Sequence, residues 1–270
     1  MTHPIKAVIF DWAGTVIDFG CLAPVQALQA VFEAQGAAIT EAEARASMGL
    51  AKRDHVRELL AIPRVAEAWT KAKGHAPTEA DGDLVYDGLP ALMRQAAARR
   101  SQLIDGAAQM VADLRAAGTR IGSCTGYTRE MMADILPLAA RQGYAPDAVV
   151  CAGETAEGRP SPLMAWKVLV ELGIWPSSAC VKVDDAEVGM GEGREAGMWC
   201  VGLAASGNGV GLSPEALAAL DPADRAQRIA DAAEGLKAAG AHYVIDTVAD
   251  LPPVLEAIAG RIAAGERPGG

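Results

Sequence analysis

Apolar and polar positions fall into two regimes along this chain of 270 residues. Four short, almost uninterrupted apolar runs stand well apart, at 7–10, 120–124, 148–151 and 180–183. Such runs, lacking an alternating polar face, suit strands buried on both sides of a parallel sheet. Residues 199–203 have the same character, and 242–245 form a sixth candidate. Between them the apolar positions take helical spacing, over 106–117, 129–142, 162–172 and 188–196. Strand–helix alternation predicts an α/β protein with a doubly wound, Rossmann-like parallel-sheet core and right-handed crossovers.

Residues 22–100 break the alternation. They hold no convincing strand, and Ala-, Glu- and Leu-rich stretches at 24–34, 41–46, 53–60, 63–72 and 84–99 read as helices. The expected organisation is an α/β catalytic core from 1–21 and 101–270, with an inserted all-helical cap domain at 22–100 over the sheet edge. Residues 204–240 make an irregular-to-helical excursion before the last strand, 265–270 read as a frayed tail, and no internal repeat is visible.

Composition narrows the classes. Hydrophobic residues make up 51% of the chain, enough for a core, but no apolar stretch reaches the ~20 residues of a membrane span. The N-terminus leads almost directly into a strand, with no signal-peptide pattern. Five cysteines (Cys21, Cys124, Cys151, Cys180, Cys200) are scattered, without CxxC spacing. That favours a reducing cytoplasm and no structural zinc, with Cys151, Cys180 and Cys200 as core residues. The net charge is −10 and there is no basic stripe, so nucleic acid is not an expected partner. An acidic protein acting on an anion must supply local positive charge from a metal, an Arg or Lys, or a helix N-terminus.

Chemistry-bearing residues gather where strands end. Asp11, in Asp11-Trp12-Ala13-Gly14-Thr15, stands where the first strand gives way to a Gly-containing loop. Ligands bind at the carboxyl edge of parallel strands, and an aspartate there can attack phosphorus. The plain alternative is an Asp that caps a turn. The second core strand runs into Ser123-Cys124-Thr125-Gly126-Tyr127-Thr128, where the Thr125 hydroxyl and loop N–H groups can hold phosphoryl oxygens; an ordinary turn with Thr128 as N-cap is the competing reading. Arg159 precedes a helix stiffened by Pro160 and Pro162, so it is a candidate anion binder or a surface residue. A further strand ends in Asp184-Asp185, paired carboxylates suited to a hard cation such as Mg²⁺ or simply solvated.

Together these four sites, in this order and spacing, resemble the haloacid dehalogenase superfamily of phosphotransferases, over residues 6–20 and 103–203. The resemblance implies Asp11 as nucleophile, Thr125 as phosphoryl donor, and Arg159 where most members use Lys. It also implies Mg²⁺ held by Asp11, the Ala13 carbonyl and Asp185. Members often carry another Asp four residues past the Asp185 position, where this chain has Gly189. Asp184 or water can fill that coordination. Members acting on phosphate esters usually have an acid/base Asp two residues past the nucleophile, where this chain has Ala13.

Ala13 gives meaning to Lys52 and His55 in the inserted segment, which share one face of a predicted helix. Alone, Lys52 reads as a solvated surface residue. A desolvated Lys, however, can become a nucleophilic amine. If the leaving atom were an ester oxygen, lacking the acid would cost ~10²–10⁴-fold in rate. If it is carbon, the need is for an electron sink, and a protonated imine between Lys52 and a β-carbonyl provides one. This combination resembles the phosphonatase family, hydrolases of the C–P bond of phosphonoacetaldehyde. The matching residues are 10–15, Gly20-Cys21, Met48-Gly49 with Lys52 and His55, 122–131, 158–160 and 193–201. The resemblance implies that Lys52 forms the Schiff base, and that Cys21, Met48, Gly49, His55, Gly126 and Tyr127 line the substrate site. His55 is then a candidate proton shuttle. It further implies a small-molecule phosphonate substrate from 2-aminoethylphosphonate degradation and a homodimer. The rival expectations are a phosphatase or phosphomutase on a P–O substrate, and a catalytically silent fold that binds a phosphorylated metabolite or a protein.

Overall fold

A computed structural model describes residues 4–269. Residues 1–3 of the expected core segment and Gly270 of the expected tail lie outside the described residues. Six strands form one all-parallel sheet in the order β3-β2-β1-β4-β5-β6: β1 Ala7–Phe10, β2 Arg120–Thr125, β3 Ala148–Cys151, β4 Cys180–Asp184, β5 Trp199–Leu203 and β6 Tyr243–Ile245. β1 lies at the centre, with Phe10 opposite Ser123 of β2 and Val183 of β4. Successive residues of β1 serve opposite faces. Ala7 and Ile9 join the cluster under Met164, Val168 and Leu172, while Val8 and Phe10 join the larger cluster on the other side. A strand covered on both faces has no use for polar side chains, which explains the apolar run.

After β1 the chain makes five helices before returning to the sheet: α1 Leu22–Ala34, α2 Glu41–Ala46, α3 Lys52–Ala61, α4 Pro63–Lys73 and α5 Glu79–Arg99. Capping boxes start two of them, Thr40 with Glu43 and Thr78 with Asp81. The second box carries α5 back to Glu79, earlier than apolar spacing alone predicts, across a polar turn the hydrophobic pattern does not register. The hydrophobic cluster is continuous from Phe10 and Trp12 through Ala13 and Val16 to Leu28, Phe32, Trp69 and Leu89. The helical segment is therefore packed onto the loop that follows β1.

The remaining helices are α6 Ala107–Ala116, α7 Arg129–Met132, α8 Ile135–Arg141, α9 Leu163–Leu172, α10 Glu187–Glu195, α11 Pro214–Ala218, α12 Pro222–Ala238 and α13 Leu251–Ala263. One expectation is corrected here. Residues 129–142 do not form a single helix. Pro137 has no N–H for a preceding carbonyl and its ring clashes with the turn before it, so the helix breaks at Ala133 and Asp134. The tail is also less free than its composition suggests, since Glu266 is held by Arg261 at 2.8 Å. α13, which buries Leu251, Leu255 and Ile258, has no counterpart among the sequence expectations. No helix among the described residues is long and apolar enough to cross a membrane.

Candidate active site

The strand order reverses at β1, between β2 and β4, and in an open α/β sheet the crevice at that reversal is where ligands bind. Three carboxylates meet there. Asp11 follows β1, Asp184 ends β4 and Asp185 follows it, with one oxygen from each within 4.8 Å of the others. The loop after β1 is shaped around Asp185. Gly14 has φ of +80°, and a Cβ there would lie 2.3 Å from Asp185 Oδ2. Asp185 Oδ1 accepts from the Thr15 hydroxyl at 3.5 Å, and Oδ2 from the Asn208 N–H at 2.7 Å.

Arg159 reaches the same point from the loop before α9. It is buried, pairs with Asp11 at 2.8 Å, Asp184 at 3.4 Å and Glu192 at 3.0 Å, and donates to the Cys124 carbonyl at 2.7 Å. Lys182, in the middle of β4, extends the network. Its Nζ lies 3.0 Å from Asp184, 2.9 Å from Glu192 and 3.3 Å from Cys124 Sγ. Burial raises the Asp11 carboxyl to about 6; Asp184 adds to the rise, and Arg159 and Lys182 limit it. Burial, with Asp11 and Asp184 beside it, pushes Asp185 well above the usual carboxylate range. Asp184 goes the other way: burial opposes its ionisation, but Arg159 and Lys182 more than offset that and hold its carboxyl low.

These differences bear on a cation. Four carboxylates (Asp11, Asp184, Asp185, Glu192) face Arg159 and Lys182, with Lys52 across the cavity, so full ionisation still leaves a net negative charge. All the available donors are oxygens, the set Mg²⁺ requires. Asp184 is already neutralised by two cations, whereas no Lys or Arg among the described residues pairs with Asp185. Asp11 and Asp185 are thus the better donors, with the Ala13 backbone in the same cavity. The acidic set fits a divalent metal.

The cavity in front of Asp11 is bordered by Ala13, Cys21, Met48, Gly49, Lys52, Thr125, Gly126, Tyr127, Arg159 and Asp185. It holds about 20 Å³, little more than one water. Gly49 and Gly126 close it. Gly49 has φ of +93°, and a Cβ on Gly126 would lie 2.7 Å from the Leu50 carbonyl oxygen. Thr125 Oγ1 accepts the Tyr127 N–H at 3.1 Å, which leaves its own hydroxyl hydrogen free for an anion. Thr128 is the N-cap of α7 and accepts from Met131, so its hydroxyl is occupied structurally.

Lys52 opens α3 and is 2% exposed, contrary to a solvated surface residue. Its Nζ lies 3.7 Å from Met48 Sδ and 5.6 Å from the centre of the Tyr127 ring. Neither satisfies an ammonium well. Burial lowers the amine to about 8; Cys21 and Asp11 resist the drop and Arg159 adds to it. His55, one turn on, is 0% exposed and does not border the cavity. Burial, with Lys52 beside it, lowers its imidazole to about 2, so it stays neutral behind Lys52.

The structure therefore brings Asp11, Ala13, Cys21, Met48, Gly49, Lys52, Thr125, Gly126, Tyr127, Arg159 and Asp185 around one cavity. Asp184 is set back in the ion-pair network and His55 is sealed away. The sequence reading missed Lys182, Glu192, Arg45 and Asn208. A lone Lys inside an apolar strand was the available signal for Lys182. The other three gain meaning only from partners far along the chain.

A model of haloacid dehalogenase-like hydrolases matches residues 5–197. The phosphonoacetaldehyde hydrolase of Paraburkholderia phytofirmans is 54% identical over 99% of this chain and 100% of its own length. That of Nitratidesulfovibrio vulgaris is 44% identical over 98% and 95%. A crystal structure of a phosphonoacetaldehyde hydrolase like protein from Oleispira antarctica superposes with a TM-score of 0.96, at 45% identity over 98% of this chain and 96% of that one.

Proposed function

The chain belongs to the haloacid dehalogenase-like hydrolases and, within them, to the phosphonoacetaldehyde hydrolase family, and from that premise we propose how its own residues cleave a carbon–phosphorus bond. The substrate is phosphonoacetaldehyde and the products are acetaldehyde and phosphate. One observation carries the reading: a buried Lys52 amine with lowered basicity faces the same cavity as Asp11, while Ala13 leaves no acid for an ester oxygen.

The neutral Lys52 amine adds to the aldehyde carbon, and loss of water gives an imine. Protonated, this imine accepts electrons. Asp11 attacks phosphorus in line, a P–O bond forms and the P–C bond breaks. The released pair flows through the former aldehyde carbon onto nitrogen, so the leaving group departs as an enamine. Its terminal carbon takes a proton, and water releases acetaldehyde from Lys52. A second water cleaves the aspartyl-phosphate and restores Asp11. Arg159 and the Thr125 hydroxyl hold phosphoryl oxygens as charge builds on them. Bound by Asp11, Asp185 and the Ala13 carbonyl, with Asp184 as the weaker candidate, Mg²⁺ would supply charge neutralisation and alignment of the phosphoryl group. Met48, Cys21 and Tyr127 give the two-carbon chain an apolar wall that excludes bulk water. The small cavity means that the segment 22–100, read as a cap domain, must swing open to admit substrate. The same reading places the enzyme in the cytoplasm as a homodimer.

Borohydride trapping tests the mechanism. With phosphonoacetaldehyde and Mg²⁺, a reduced two-carbon adduct should map to Lys52, with phosphate released in the unreduced control. Lys52→Ala and Lys52→Arg should both be folded and inactive. Near-normal turnover in either variant would sink the imine and return P–O substrates to consideration.

A further inference from the structure

The loop after β5, residues 204–213, forms the wall behind Asp185. Asn208 N–H donates to Asp185 Oδ2 at 2.7 Å. The Ser206 hydroxyl donates to the Gly14 carbonyl at 2.7 Å, and the Gly20 N–H to the Ser206 carbonyl at 2.7 Å. A Cβ on Gly207 would lie 2.7 Å from Asp185 Cβ. The loop is thus seated against both the turn after β1 and the carboxylate.

The helical segment holds the same loop from the other side. Arg45, on α2, donates from Nη1 to the Gly20 carbonyl at 3.0 Å and to Asn208 Oδ1 at 3.1 Å. Its Nη2 donates to the Gly211 carbonyl at 2.9 Å, and Nε to Glu41 at 2.9 Å. Asn208 answers, donating from Nδ2 to the Arg45 carbonyl at 3.2 Å. The Arg45 side chain is only 13% exposed. A planar fork with several fixed donors suits this set of carbonyls, and the single ammonium of a lysine does not.

We propose that Arg45 is a positioning residue: docked on the 204–213 loop, it fixes Asn208 so that Asp185 Oδ2 is held by an N–H, and Oδ1, whose partner is the Thr15 hydroxyl at 3.5 Å, is turned toward the cation. The N–H fixes the direction of the carboxylate, so the effect is one of geometry. Partners of this kind, one step removed from the ligands, tune metal affinity. Arg45 thereby couples the seating of the helical segment to the readiness of the cation site. The inference rests on the metal reading above.

The test is Mg²⁺ titration calorimetry on the substrate-free protein, with thermal unfolding as a check on folding. Arg45→Ala should weaken Mg²⁺ binding about tenfold, within the range for outer-shell partners. Arg45→Lys should not restore it. Asn208→Ala should weaken it similarly, and the double variant should weaken it by less than the two single effects combined, because the two share the Arg45–Asn208 hydrogen bond. Arg64→Ala removes the ion pair with Glu43 at the start of α2, away from Asn208, and should leave affinity unchanged. In turnover, kcat should fall with little change in KM for the aldehyde. Wild-type Mg²⁺ affinity in Arg45→Ala overturns the proposal, as does equal weakening by Arg64→Ala, which would mean general loosening of α2. If Arg45→Ala does not fold, Asn208→Ala decides. A wild-type protein that binds no Mg²⁺ would overturn the metal reading itself.

Discussion

Lys52 sits where an ammonium has little to satisfy it: a thioether, an aromatic face and the start of α3. With its amine lowered to about 8, roughly a tenth is neutral at pH 7, against well under a thousandth for an ordinary lysine near 10.4. The sign follows. Deprotonation makes the nucleophile, so the rate of imine formation should rise with pH up to about 8 and level off above it. Rapid-quench borohydride trapping across pH 6–10 checks this, and a rate still climbing toward 10 would mean an unperturbed lysine. At this scale the sequence was only partly legible. Lys52 could be singled out through Ala13, but its burial could not be seen, because Met48, Tyr127 and Cys21 come from three separate stretches of chain. His55 shows the opposite limit: helical spacing placed it on the Lys52 face, while in the fold it is buried outside the lining of the cavity.

The turn after β1 is the element on which the site depends. Gly14 is required twice over, by its positive φ and by the Asp185 carboxylate pressed against its Cα. Gly14→Ala should lower kcat about 100-fold, the order expected for a misplacement near 1 Å, with a folded far-ultraviolet spectrum. Steady-state kinetics beside circular dichroism would check it, and unchanged kcat would show that Asp185 tolerates displacement. Whereas β6, a sheet edge of three half-buried residues, gave the weakest signal, the central strands were legible because they are apolar runs buried on both faces. Helix boundaries were less so. The early start of α5 lies in the Thr78–Asp81 capping box, and the break between α7 and α8 lies in Pro137, both local signals that hydrophobic periodicity passes over. Lys182 and Glu192 were not legible as a pair, since β4 and α10 must fold before their charges meet.

For the whole molecule, the opposing facts are a cavity of about 20 Å³ and a hydrophobic cluster continuous between sheet and helical segment. The first requires opening for substrate to reach Asp11. The second resists it, because opening exposes apolar surface. Opening thus works against apolar burial, which favours the closed arrangement. Amide hydrogen exchange should show residues 45–52 exchanging faster than β1 and β4, and slowing when Mg²⁺ and inorganic phosphate are added. Identical exchange with and without these ligands would contradict a moving segment. The strand–helix alternation made the sheet readable in advance and the strandless stretch 22–100 its run of helices, but not the close approach of Leu50 to Gly126 that narrows the cavity.

Gly189 has a consequence for how such a site can change over generations. A Cβ at this position would lie 2.1 Å from the Asp184 carboxyl carbon. The space where an acid from α10 would sit is already filled by an acid from β4, and Lys182 anchors it there. The two positions thus compete for one volume. An Asp introduced at 189 alone meets a collision, and loss of Asp184 alone takes away one of the two carboxylates that pair with the buried Lys182. Exchange between the two arrangements therefore calls for paired changes at 184 and 189, since a side chain at 189 and the Asp184 carboxylate claim the same space.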